Sequence, residues 1–342
     1  MTTAHLTENS VTVAGKSIFY AEAGTGPAVV MLHGGGPGAN GTSNYSRNID
    51  ALAEHFRVIV PDMPGYGRSA KTMDHDDPFG YLADAVRGLL DEIGVTDAHL
   101  VGNSLGGAAA LRLALDTPDR VGKLVLMGPG GIGTTRGRPT AGINSLLGYY
   151  GGTGPSRDKL AAFIRSYLVY DGASVSNDLV DLRYQASIDP EVVGNPPLRR
   201  PSGLRALWRM DLTRDRRLKQ LPTPTLVLWG RDDKVNKPSG GQMLLKALPN
   251  AELVMTSRTG HWMQWERAEL FNRLVDAFGH VRHRHGGEEP EPVGVLLHQR
   301  GGVVVDVARQ SSGVRRSGQN GRARCRHRKD GGADVEVVHR LQ

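Results

Sequence analysis

His99-Leu100-Val101-Gly102-Asn103-Ser104-Leu105-Gly106-Gly107-Ala108-Ala109-Ala110-Leu111 is the stretch that decides how the rest of the chain is read. A short apolar run over 99–102 gives way, across a glycine-flanked serine, to an Ala/Leu pattern of helical character that continues over 108–115. A strand, a sharp turn and a helix with small residues on both sides of a serine make a nucleophile elbow, which holds the serine in a strained conformation with its hydroxyl projecting above a sheet. The pentapeptide Gly102–Gly106 on its own also fits an ordinary glycine-rich strand–helix turn, so its surroundings must decide.

Outward from the elbow, short β-branched runs alternate with helical patterns. Strands are expected over 17–21, 28–32, 57–61, 99–102, 123–127, 225–229 and 252–255. Leu82, Val86, Leu89, Leu90 and Ile93 share one helical face. Near-continuous apolar strands alternating with helices imply a mostly parallel sheet covered on both faces, an α/β fold. The alternation lapses after Gly128 and resumes near Thr225, and helical patterns at 159–170 and 177–187 fill the gap. The expected organisation is a core in two parts, 1–135 and 216–278, interrupted by a helical lid over 136–215 and followed by a tail over 279–342.

Composition narrows the class. The chain has 342 residues, 39% apolar and 23% charged, which fits a globular protein with a sizeable core. No apolar run approaches the roughly 18 residues of a spanning helix. A single cysteine, Cys325, excludes a disulfide framework, and the N-terminus shows neither a basic nor an apolar signal region, so the cytoplasm is the expected compartment. The net charge of +7 is concentrated in the tail, where 12 Lys/Arg face 7 Asp/Glu and none of the 19 aromatic residues occurs. The tail is expected to be disordered. Its Arg-, Gly-, His- and Val-rich composition suits a frameshifted or unrelated extension. The rival reading, a basic arm for nucleic acid or acidic lipid, lacks aromatics for stacking.

Two further motifs give the elbow a chemical setting. His33-Gly34-Gly35-Gly36-Pro37-Gly38 follows the strand 28–32, and a glycine-rich loop there can aim backbone N–H groups at a tetrahedral oxyanion. The expected donors are the amides of Gly35 and Leu105. A phosphate loop is excluded, because the sole Gly-Lys-Ser tripeptide, Gly15-Lys16-Ser17, has Ser10 where the motif needs glycine. A base and its orienting acid should follow the serine in the order Ser, Asp, His. His261 is the single histidine between Ser104 and the tail, and Gly230-Arg231-Asp232-Asp233 supplies the acid between them. On turn geometry either aspartate could serve. His5, His55, His75 and His99 show no metal-ligand spacing, and neither a metal nor a cofactor is expected.

With these motifs in order, the chain resembles the α/β-hydrolase superfamily over about residues 10–278, and Asp62-Met63-Pro64-Gly65-Tyr66-Gly67-Arg68-Ser69 is similar to a loop of that superfamily. Within it, His33–Ala39 with Ser43-Asn44-Tyr45, Gly102–Gly107 and Gly260-His261-Trp262-Met263-Gln264-Trp265-Glu266 resemble the meta-cleavage product hydrolases of bacterial aromatic and steroid degradation. The resemblance implies serine-dependent hydrolysis of a carbon–carbon bond in 2-hydroxy-6-oxohexa-2,4-dienoates, giving a 2-hydroxypentadienoate and a carboxylic acid. It also implies Ser104, Asp233 and His261 as the triad, a polar subsite formed by Gly36, Asn44, Asn103, Arg183 and Trp262, and a homo-oligomeric assembly. A carboxylic ester hydrolase with the same triad is the alternative. An epoxide or haloalkane hydrolase is disfavoured by serine at the elbow, and a non-catalytic module acting through a nucleic-acid-binding tail by the complete triad. The substituent on the 6-oxo carbon is not legible from the sequence.

Overall fold

The computed structural model describes residues 5–280 and the backbone of residues 335–338. The tail expected to be disordered therefore lies outside the described residues, apart from its first two positions and this four-residue strand. Among the described residues nine strands form one sheet: β1 Thr7–Val13, β2 Lys16–Ala23, β3 Ala28–Leu32, β4 Arg57–Pro61, β5 Ala98–Asn103, β6 Val121–Met127, β7 Thr225–Gly230, β8 Ala251–Thr256 and β9 Val335–Val338. Their spatial order is β1-β2-β4-β3-β5-β6-β7-β8-β9. The run from β4 to β8 is parallel, whereas β1, β2 and β9 pair antiparallel at the edges. β1 has no counterpart among the expected strands, because its residues Thr-Glu-Asn-Ser-Val-Thr-Val stay exposed or half-buried and so lack the apolar run of a central strand.

Period-2 alternation along the parallel strands divides the core between the two faces. Val30, Leu32, Ile59, Leu100, Leu124, Leu126, Val227 and Leu253 face one side. There they meet helices α3 (Pro78–Glu92), α4 (Leu105–Asp116) and α10 (Ser239–Ala247). Val29, Met31, Val58, Val60, Val101, Val125, Met127, Leu226 and Leu228 face the other. That side is covered by α1 (Gly41–Tyr45), α2 (Ile49–Ala53), α11 (Met263–Glu266) and α12 (Ala268–His280). Complete burial of β7 shows why such strands read as unbroken apolar runs.

Between β6 and β7 lie five short helices: α5 (Ala141–Leu147), α6 (Arg157–Phe163), α7 (Asn177–Ser187), α8 (Pro190–Gly194) and α9 (Leu204–Arg209). Apolar residues of α5, α6, α7 and the segments joining them form a third cluster that also takes in Val235, Trp262 and Trp265 from the sheet side. The helix expected over 159–170 ends instead at Phe163 and widens into a π-turn over Ile164–Leu168. The Val169 N–H reaches back to the Ile164 carbonyl at 3.3 Å. A widened last turn leaves a terminal carbonyl to be satisfied elsewhere, and the Leu168 carbonyl accepts the N–H of His261 at 2.8 Å.

Candidate active site

β3 and β5 are parallel neighbours with Leu32 opposite Gly102, so the loop after β3 and the turn after β5 emerge side by side at the C-terminal edge of the sheet. In open α/β sheets that edge is where ligands bind. Ser104 occupies the turn with φ 52° and ψ −111°, a left-handed conformation that costs a non-glycine residue of order 1–3 kcal/mol. It is pinned on both sides: its N–H donates to the Met127 carbonyl at 2.9 Å, and its carbonyl accepts from Ala108 at 3.0 Å and Gly130 at 2.8 Å. α4 starts hard against β3, since a Cβ at Gly106 would lie 2.3 Å from the Leu32 carbonyl oxygen.

The glycine loop is set by a residue whose side chain the sequence left without a role. His33 is fully buried; its Nε2 accepts the Met63 N–H at 3.0 Å, so its Nδ1 is the nitrogen that donates, to the Gly34 carbonyl at 2.9 Å. Burial pushes its pKa down and keeps the ring neutral. The Gly34 carbonyl and the Gly35 N–H are opposite ends of one trans peptide, so anchoring the carbonyl turns the N–H the other way. The next peptide is held too, because the Tyr66 hydroxyl donates to the Gly35 carbonyl at 3.1 Å. Gly35 packs against Leu105, the second expected donor, whose Cδ2 lies 3.0 Å from where a Cβ at position 35 would sit.

The two adjacent aspartates separate cleanly. Asp233 accepts from His261 Nδ1 at 2.7 Å through Oδ2, and from the N–H groups of Val235 and Asn236 at 2.8 and 2.9 Å through Oδ1. Asp232 accepts from the Thr259 N–H at 3.3 Å and ties the turn after β7 to the turn after β8. Both side chains of the Asp233–His261 pair are at most 2% exposed. Gly128, with φ 44°, leaves room for them, since a Cβ there would stand 3.1 Å from Asp233 Oδ2 and 3.2 Å from His261 Nδ1. His261 Nε2 is buried without a protein partner and lines the same cavity as Ser104. Glu266, quoted within the sequence motif but given no role there, accepts from the N–H groups of Gly260 at 2.9 Å and Tyr170 at 2.7 Å. It thus joins the His261 turn to the segment after the π-turn; burial raises its pKa.

The cavity brings together all the remaining polar candidates except Leu105: Gly35, Gly36, Asn44, Asn103, Arg183 and Trp262 line it with Ser104 and His261. Its apolar wall is Leu146, Phe163, Leu168 and Val235. Trp262 Nε1 donates to Asn44 Oδ1 at 3.2 Å, which leaves Asn44 Nδ2 a buried donor without a partner. Asn103 Nδ2 points to the carbonyls of His261 at 3.3 Å and Met127 at 3.4 Å. Arg183, 2% exposed on α7, donates through Nε to the Pro37 carbonyl at 3.3 Å and sits 4.8 Å from the Trp262 ring. Its Nη1 has no partner, and among the described residues no carboxylate pairs with it. Burial lowers its pKa to about 10, so it stays charged at neutral pH.

A strained serine at the C-terminal edge of a mostly parallel sheet, beside a buried His–Asp pair, defines the α/β hydrolases, and the family model described as alpha/beta hydrolase fold matches residues 27–268. The chain is 41% identical over 265 residues to a 2-hydroxy-6-oxo-6-phenylhexa-2,4-dienoate hydrolase of Comamonas testosteroni, covering 76% of this chain and 90% of that protein. It is 42% identical to a 2-hydroxy-6-oxononadienedioate/2-hydroxy-6-oxononatrienedioate hydrolase of the same organism, covering 74% and 88%. Among solved structures, a variant of the meta-cleavage product hydrolase CumD from Pseudomonas fluorescens IP01, complexed with acetates, superposes with a TM-score of 0.71 at 33% identity, covering 79% of this chain and 97% of that one. The chain belongs to the meta-cleavage product hydrolase family. Among the described residues no helix is long and apolar enough to cross a membrane.

Proposed function

We propose that the chain hydrolyses the C5–C6 bond of 2-hydroxy-6-oxohexa-2,4-dienoate ring-fission products, with Ser104, His261 and Asp233 as triad and the amides of Gly35 and Leu105 as oxyanion hole. The observation that carries this reading is Arg183, a buried cation in the cavity with a free donor and no acid of its own. A buried charge without a partner is costly, and a substrate carboxylate supplies the missing one. Arg183, Asn44 and Trp262 then hold the carboxylate and 2-oxygen end, and the segment between β6 and β7 serves as the lid.

The chemistry follows from what a carbon leaving group needs. The dienol first becomes a ketone by moving its hydroxyl proton to C5. Ser104 gives its proton to His261 and attacks C6, whose oxygen becomes an oxyanion facing Gly35 and Leu105. The C5–C6 bond breaks, and its electron pair runs through C4 and C3 to the 2-oxygen, where the polar subsite receives the charge and the proton that His261 took from Ser104 restores 2-hydroxypentadienoate, leaving His261 neutral. Water activated by His261 then releases the acyl group as a carboxylic acid. Asp233 fixes the His261 tautomer and steadies its charged form throughout.

An ester hydrolase with the same triad has no use for Arg183, and that difference supplies the test. Arg183→Gln is expected to lower kcat/KM on a yellow dienoate by about 10²–10³ while an aryl ester falls less than tenfold, with Arg183→Lys recovering little because the planar fork is lost. Equal losses on both substrates would favour the ester reading. A panel of alkyl, phenyl and steroidal ring-fission products, followed by loss of visible absorbance, identifies the substituent. A homo-oligomer is proposed on family resemblance, and the cytoplasm on the single cysteine.

A further inference from the structure

We infer that His55, Asp276 and His280 form a binding site for one divalent transition-metal ion of the Zn²⁺ type, separate from the hydrolase cavity. His55 sits just past α2, while Asp276 and His280 lie one turn apart on α12 and share a face. His55 Nδ1 is 2.7 Å and His280 Nε2 is 3.1 Å from the same oxygen, Asp276 Oδ1. All three donor atoms fall within 4.8 Å of one another. Ligands on a tetrahedral zinc with bonds of about 2.0–2.1 Å stand about 3.3 Å apart, so this triangle closes on an ion with small side-chain rotations.

The rings are held in place without the ion. His280 stacks on Phe56, the residue next to His55, at 4.9 Å between centroids and 24° between planes. Phe56 is itself fully buried, so a core residue steadies the His280 imidazole, which the His55 ring meets edge-on at 5.3 Å between centroids. The end of α12 is fixed by Lys123 Nζ, which donates to the carbonyls of Phe278 at 2.5 Å and Gly279 at 2.8 Å. His55 donates its own N–H to the Leu52 carbonyl at 3.1 Å. Side-chain exposures of 49% for His55, 34% for Asp276 and 51% for His280 leave the triangle open to solvent, so water completes the coordination. Two imidazoles and one carboxylate suit zinc and its neighbours rather than calcium or magnesium, which take oxygen ligands. The expectation of no metal rested on spacing along the chain, and that spacing is blind to a partner 221 residues away.

The site lies at the opposite edge of the sheet from Ser104. His55 and Phe56 precede the start of β4, and the Phe56 ring is 6.5 Å from that of His99 at the start of β5, whereas Ser104 follows the end of β5. An ion here pins α12 to the α2 turn, so it acts on stability and not on turnover. The test is titration of the full-length, chelator-stripped chain with zinc chloride by calorimetry, beside thermal melts with and without zinc. The sequence past residue 280 carries five more histidines and Cys325, so the variants decide the location. One equivalent should bind the wild type and raise Tm, and His55→Ala, Asp276→Asn and His280→Ala should each weaken that binding at least about tenfold and remove the Tm rise, with dienoate turnover unchanged. His55→Gln, which keeps the size of the side chain, should behave as His55→Ala. No binding by the wild type, or equal binding by wild type and all variants, would overturn the inference.

Discussion

The two halves of the cavity differ in how completely their polar atoms are satisfied. On the sheet side, Asp233 takes three hydrogen bonds, His33 uses both ring nitrogens, and the backbone of Ser104 is tied on either side. On the α7 side and around α1, Arg183 Nη1 and Asn44 Nδ2 are buried donors without partners. Apart from His261 Nε2 and Asn103 Oδ1, which have no protein partner, this framework is bonded before substrate arrives and needs little reorganisation during reaction. Unpaired donors mark where binding energy has yet to be gained, because a ligand that satisfies them removes a desolvation penalty already incurred in folding. In the proposed reaction the reacting half is largely set beforehand, and the recognising half is completed by substrate.

Substitutions on the reacting half should therefore act on kcat and spare binding. Ser104→Ala has the largest expected effect, a loss of kcat on the order of 10⁶ with substrate affinity within a few-fold of wild type, read by single-turnover kinetics and equilibrium titration. Asp233→Asn should cost about 10⁴ in kcat by stabilising the wrong imidazole tautomer. Its neighbour is the control: Asp232→Asn should stay within about tenfold, since only one long hydrogen bond to Thr259 changes. If the two asparagine variants were equally impaired, the division of labour between them would be wrong.

His33→Asn sharpens the comparison at a residue outside the proposed triad. Freed from Nδ1, the Gly34 peptide can rotate and carry the Gly35 N–H off target, so kcat should fall by about 10² with KM nearly constant. A purely structural role would instead lower Tm with kcat per folded molecule preserved. The smallest effect is on stability against pH. His99 is held at about 4 by burial and by the nearby charge of Lys123, against an ordinary value of 6.5. The unfolded chain binds that proton first, so the stability His99 contributes is complete above about pH 6.5 and falls as pH drops toward 4. Urea unfolding across that window should show the slope, and His99→Gln should flatten it.

Legibility from sequence followed the range of the interaction involved. The elbow could be read because its conformation demands small residues at fixed short offsets around Ser104, and His261 because chain order leaves one candidate. Asp232 and Asp233 could not be separated by turn chemistry alone: their difference is a hydrogen bond to a histidine 28 residues further on. His33 was visible as part of a motif, yet its role depends on the Met63 amide, 30 residues away. The helical pattern through 159–170 carries no sign of the π-turn, whose Leu168 carbonyl meets the N–H of His261, a partner remote in sequence. β1 escaped because an exposed edge strand needs no apolar signature.

The π-turn has a practical consequence for recombination. Its Leu168 carbonyl carries the His261 backbone, and Glu266 holds Gly260 and Tyr170 with one carboxylate. The segment from Ile164 to Tyr170 is thus part of the mounting of His261 as much as of the connection between β6 and β7. A chimera that imports the whole connection between β6 and β7 from a relative to change substrate range would import a new mounting as well, and would confuse altered specificity with a displaced His261. Crossover points placed after Tyr170 keep the mounting native, so that α7 and α8 can be exchanged as a unit while His261 stays where Asp233 holds it.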